Sequence, residues 1–190
     1  MQQSVFPPAG RRARGCRERR PATPEPGGSA VEAEPSDQIE AFVVAARRAT
    51  GHQIESHDAF AFGDSAALAD ELAALVVAGR KRATAGLLAE YEANGTPLPV
   101  AGSWSVVLDG AGQPVAVIRI VQVTVVPFAE VDAAFAWDEG EGDLSLASWR
   151  EAHRTFFSRL GRPLTPESPV VCERFEIVYP VPPRDERRPT

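Results

Sequence analysis

The sequence predicts an α+β domain, a small and mainly antiparallel β-sheet or barrel with helices around it. Three observations carry this. Two apolar runs, Trp104–Leu108 and Val115–Val126, flank Asp109-Gly110-Ala111-Gly112, a glycine-bearing connection of the kind that closes a hairpin. Other segments repeat apolar residues every three or four positions, the spacing of one helix face. Strands and helices do not alternate in regular βαβ order, which disfavours a doubly wound parallel sheet.

Taken in order, Asp37 to Thr50 is expected to be a helix with Ile39, Phe42, Val43 and Ala46 on one face. Residues 51–64 read as an irregular linker. Asp64 or Ser65 caps a second helix whose apolar stripe is Leu68, Leu72, Leu75 and Val76, and Gly79 stands where a helix C-terminal glycine belongs. A polar, basic connection follows, then a short helix near Leu87–Ala93, ended by Asn94-Gly95 and Pro97. After the hairpin, Phe128–Phe135 reads as a helical turn and Asp138–Asp143 as an acidic glycine loop. Ser145 caps a last helix through Leu160, closed by Gly161, and Val170–Tyr179 is the final strand.

Composition sets the boundaries. Residues 1–36 hold six arginines and a run of prolines and glycines, with too few apolar groups to offset the entropy of ordering them. They read as a disordered extension, with a basic arm for nucleic acid as the competing reading. Residues 181–190 read as a similar tail, leaving 37–180 as a single domain. The chain of 190 residues has 20 basic and 26 acidic side chains, a net −6. Within 37–180 the counts are 11 and 20, so the domain carries 11 − 20 = −9. Such a surface repels long polyanions, and contact with nucleic acid is expected only through a local basic patch or a pocket. No apolar run approaches the ~18–20 residues of a membrane helix. Cys16 and Cys172 are far apart, so a disulfide is not expected and a reducing cytoplasm fits. Zinc-ligand spacing and Walker or Rossmann glycine patterns are absent, so no metal and no cofactor is expected.

Nineteen of the 20 basic residues are arginine; the exception is Lys81, in Gly79-Arg80-Lys81-Arg82-Ala83-Thr84. Arginine stays protonated, whereas a lysine that is buried or crowded by cations loses its proton and can act as a base towards a hydroxyl such as Thr84. The plainer reading is a solvated basic cluster at a helix C-terminus. Asp138-Glu139-Gly140-Glu141-Gly142-Asp143 places four carboxylates in six residues, either a set of mutually raised pKa values or a solvated loop. Arg119, inside an apolar strand, pairs with a carboxylate or reaches a cleft. Trp104 stacks on a base or packs in the sheet, and His153 reads as a hydrogen-bonded core histidine, with a catalytic role as the competing reading.

In series, Gly79-x-Lys81-x-x-Thr84, the strands around Asp109-Gly110, Val126-Pro127-Phe128-x-x-Val131, the Glu139–Asp143 loop and Trp149-Arg150-x-x-His153-x-x-Phe156-Phe157 resemble an ASCH domain (activating signal cointegrator homology) over roughly residues 58–179. The resemblance implies a PUA-like β-barrel with helices around a cleft. It also implies an RNA-associated role, as a coactivator-like binder, a ribonuclease, or a hydrolase of an amide on a modified nucleoside such as N4-acetylcytidine. In such hydrolases a lysine and a threonine of this motif act with a glutamate. Lys81 and Thr84 match by motif, and Glu141 matches with Glu139 as alternate. On that reading Lys81 accepts a proton from Thr84 or water, Glu141 donates one to the departing amine, and Arg80, Arg82, Arg119 and Trp104 hold the RNA or nucleoside.

Overall fold

The structure, a computed structural model, describes residues 35–181. The expectations for residues 1–34, including Cys16, and for 182–190 lie outside the described residues. Helix α1 runs Pro35–Thr50, two residues earlier than the sequence pattern suggests. Strand β1 (Asp58–Ala61), helix α2 (Ala66–Val77), strand β2 (Ala83–Leu87) and helix α3 (Leu88–Asn94) follow. Strands β3 (Trp104–Leu108) and β4 (Pro114–Pro127) form the hairpin. A 3₁₀ turn (Phe128–Glu130), helix α4 (Ala133–Glu139), helix α5 (Leu146–Arg159) and strand β5 (Pro169–Tyr179) complete the domain.

The five strands form one sheet in the order β1-β3-β4-β5-β2. Every pair is antiparallel except β1 with β3, so the sheet is mixed, with a parallel strand at one edge. Long β4 pairs with β5 along most of its length, and its register shifts at Val117/Ile118 and Ile120/Gln122. Such bulges bend a strand and increase its twist, which curls this sheet into a half-barrel.

Two elements differ from the sequence reading. Residues 51–64 are not wholly irregular, because Asp58–Ala61 pairs with Ser105–Leu108. The basic connection likewise runs into β2, whose Ala83-Thr84-Ala85-Gly86-Leu87 pairs with Val170–Arg174. Both segments are short and β2 is rich in alanine and glycine, so their strand character comes from long-range pairing and not from local propensity.

Alternation along β3 assigns the helices to opposite faces. Val106 and Val117 pack with Val43, Ala46 and Ile54 beneath α1. Val107, Ile118, Ile120 and Phe175 pack with Leu72, Ala73 and Val76 of α2 on the other face. A third cluster joins Ala83, Ala85 and Leu87 of β2 to Phe128, Phe135, Trp149 and Phe157. The stripe Trp149, Phe156, Phe157 on α5 is therefore mainly a core stripe. The α5 N-cap is Ser145, whose hydroxyl accepts from the Ser148 amide.

Candidate functional site

Lys81 sits where α2 ends. Gly79, at φ 74°, turns the chain, and the amides of Arg80 and Lys81 both donate to the Leu75 carbonyl, which satisfies the end of the helix. Lys81 thus precedes β2 and escapes the alternation of strand side chains, so it and Thr84 both line one cavity.

The acidic segment meets this turn. Asp138 and Glu139 are the last residues of α4 and not part of a loop. The Arg82 amide donates to the Asp138 carbonyl at 2.7 Å. Gly140 is left-handed (φ 74°), and a Cβ there would lie 2.5 Å from the Arg80 carbonyl oxygen. A side chain is excluded twice over, by conformation and by space.

Lys81 is 1% exposed, and its Nζ donates to Glu139 Oε2 at 2.9 Å and to Glu141 Oε1 at 2.5 Å, above the Phe62 ring at 5.2 Å. Burial alone would lower the lysine pKa, but the two carboxylates outweigh it and hold Lys81 above its ordinary range. The expected crowding by Arg80 and Arg82 is replaced by crowding with anions. This direction favours the ammonium form of Lys81 over the neutral base expected from the sequence. Glu141 accepts the lysine's hydrogen bond, which is a different task from donating a proton to an amine.

Glu139, 1% exposed, also accepts from Trp149 Nε1 at 3.0 Å and faces His153 Nε2 at 3.5 Å. Burial would raise its pKa, but the Lys81 charge, with His153 beside it, holds Glu139 below the usual carboxylate range. His153 is hydrogen-bonded as its position suggested: Nδ1 meets the Trp149 carbonyl at 2.9 Å and the ring stacks on Trp149. Burial disfavours its charged form, yet the Glu139 carboxylate raises its pKa overall.

The cavity above these groups has a volume of about 1260 Å³. Trp104 lines it, with the His52 ring 5.4 Å away. Arg80, Arg82 and Arg119 do not line it. Arg82 Nε donates to the Gly79 carbonyl and braces the turn. Arg119 spans the Trp104 ring and Glu176, its partner in β5, on an exposed face. Of the two readings for a cation in an apolar strand, pairing is the one seen.

The cavity also contains groups to which the sequence reading gave no role. Glu173 in β5 is 7% exposed and accepts from the Tyr91 hydroxyl at 3.0 Å. Burial raises its pKa to about 7, against a smaller lowering by the Tyr91 hydrogen bond. His57 contributes a buried Nδ1 with no hydrogen-bond partner among the described residues. A charged residue within an apolar strand was the signal available for Glu173, the same one that drew attention to Arg119.

No helix among the described residues is long and apolar enough to cross a membrane. No curated protein matches the chain significantly. Among solved structures, an ASCH domain from Lactobacillus crispatus JV V101 is 34% identical with a TM-score of 0.67, over 76% of this chain and 94% of that one. A protein from Enterococcus faecalis V583 is 32% identical with a TM-score of 0.65, over 74% and 87%. The ASCH domain family model matches residues 58–179, the span from β1 to the end of β5. The curled mixed sheet, the match over residues 58–179 and the 34% identity to a solved ASCH domain agree: the chain belongs to the ASCH domain family.

Proposed function

We propose that the cavity binds an uncharged modified nucleoside and hydrolyses an amide on its base, as N4-acetylcytidine hydrolases of this resemblance do. The observation that carries the reading is a buried lysine and a threonine hydroxyl lining one cavity, with no spare lysine or arginine on its wall among the described residues. Six carboxylates line that cavity against one lysine and one arginine. Lys81 is engaged by Glu139 and Glu141, and Arg159 pairs with Asp64 at 2.7 Å. A phosphate would meet net negative charge there, which disfavours an RNA chain relative to a nucleoside. The volume exceeds the ~300–1,000 Å³ usual for small-ligand pockets, which is consistent with space for a nucleoside and its acyl group.

In this proposal Thr84 attacks the amide carbonyl. Lys81 stabilises the oxyanion that develops, as a pre-positioned cation whose own side chain is buried. Glu139 and Glu141 fix the direction of the ammonium, and Trp104 supplies an aromatic face for the base. The test is incubation of the protein with a panel of N-acylated nucleosides, read by mass change. Loss of the acyl group from N4-acetylcytidine is expected, and Thr84→Val is expected to reduce it by at least 100-fold. Retention of RNA without turnover of any nucleoside would favour a binding module, and cleavage of an RNA oligomer would favour a ribonuclease.

A further inference from the structure

If Thr84 attacks a carbonyl, some group must take its proton, and Lys81 is already charged. The register of the sheet supplies another candidate. Thr84 and Glu173 are directly opposed Cα partners in the antiparallel pair of β2 and β5. Opposed residues project from the same face with Cβ atoms about 4.5–5.5 Å apart. Both line the cavity, and Glu173 is oriented by the hydroxyl of Tyr91 from α3.

We propose that Glu173 is the general base that activates Thr84, a role that rests on the reading of the cavity as a hydrolytic site. As the Thr84 Oγ–C bond forms, the hydroxyl proton passes to Glu173. As the C–N bond breaks, that proton passes to the departing nitrogen. Water then attacks the acyl carbon and loses a proton to Glu173, which returns it to Thr84 Oγ when the ester C–O bond breaks. The sum is amide plus water giving acid plus amine, with Thr84 and Glu173 restored.

The surroundings suit this task. From β4 the register partner of Glu173 is Val123, and from β2 it is Thr84, so neither adds charge. From α3, Tyr91 donates a hydrogen bond, and burial together with the Glu173 carboxylate holds its phenol well above the ordinary range. The neighbouring Glu90 pairs with Arg162. Elsewhere on the cavity wall, the ammonium and imidazole of Lys81 and His153 meet the carboxylates of Glu139 and Glu141. Burial therefore dominates the Glu173 pKa and raises it to about 7, close to the value that suits a base at neutral pH.

The test uses p-nitrophenyl acetate, an activated acyl ester that needs no nucleoside recognition, in parallel with N4-acetylcytidine. The measured quantity is Thr84-dependent nitrophenolate release, wild type minus Thr84→Val, across pH 5–9. Wild-type release is expected to fall as pH drops through about 7, as the carboxylate takes up a proton. Glu173→Gln, whose amide oxygen still accepts from Tyr91, is expected to lower the rate by about 100-fold or more and remove that limb, with KM little changed. A purely structural Glu173 would not move the pH profile. Release by Glu173→Gln within threefold of wild type, or the absence of any Thr84-dependent release, overturns the proposal. Ester cleavage that depends on both residues, without hydrolysis of any nucleoside, supports Glu173 and instead refutes the substrate reading.

Discussion

Replacing Lys81 with methionine is expected to destabilise the domain by about 3–5 kcal/mol, because it strands the buried Glu139 carboxylate with one partner fewer. Glu139 would retain the Trp149 indole and His153, neither of which replaces an ammonium at 2.9 Å. The pH dependence carries a sign. Glu139 is depressed in the folded state, so its contribution is present above its ordinary value of 4.5 and is lost as pH falls through the folded value. Lys81 is raised, so its contribution is present below 10.5 and is lost as pH rises through its folded value. The pair therefore stabilises the protein most between these limits. Urea unfolding should show the largest gap between wild type and Lys81→Met near pH 7 and a smaller one at pH 4. Turnover should be lost, since methionine offers the oxyanion no charge. Lys81→Arg keeps a cation but adds bulk where the lysine is 1% exposed, so it is expected to fold with a loss of ~1–3 kcal/mol and to misplace its charge.

A single methyl group at Gly140 is expected to do comparable damage. Alanine there would have to hold a left-handed conformation, costing ~1–2 kcal/mol. Its Cβ would also meet the Arg80 carbonyl carbon at 2.6 Å and the Lys81 nitrogen at 2.9 Å, all of them backbone. Neither neighbour is a flexible side chain that can swing away. The segment must shift, adding roughly 1–3 kcal/mol of packing strain. Because the segment that moves is the one carrying Lys81, thermal unfolding and nucleoside turnover should fail together in Gly140→Ala. A variant that lost stability alone would uncouple the turn from the chemistry.

The helices were legible in the sequence because each buries a stripe at helical spacing. Leu68, Leu72 and Val76 on α2 and Trp149 and Phe157 on α5 are cases. The hairpin was legible because its glycine-bearing turn separates two β-rich runs. β1 and β2 were not, since four or five residues of mostly small side chains carry no period, and only pairing with β3 and β5 makes them strands. The site divides in the same way. Lys81 stood out as the sole lysine of the chain, and Thr84 as a hydroxyl close to it in sequence that the family motif also matches. That the basic turn and the acidic segment touch is a tertiary fact, fixed by the close approach at Gly140. That contact favours the ammonium form of Lys81, against the expectation of a neutral base. Glu173 depends on the β2–β5 register, which becomes available only once β2 is known to be a strand.

The cavity is expected to take an uncharged nucleoside in preference to a phosphate-bearing one. Comparison of kcat/KM for N4-acetylcytidine, its 5′-monophosphate and a short RNA containing the same base tests it directly, at low and at moderate salt. The free nucleoside is expected to be the best substrate by at least tenfold, with little dependence on salt. A preference for the RNA that falls steeply as salt rises would contradict the claim.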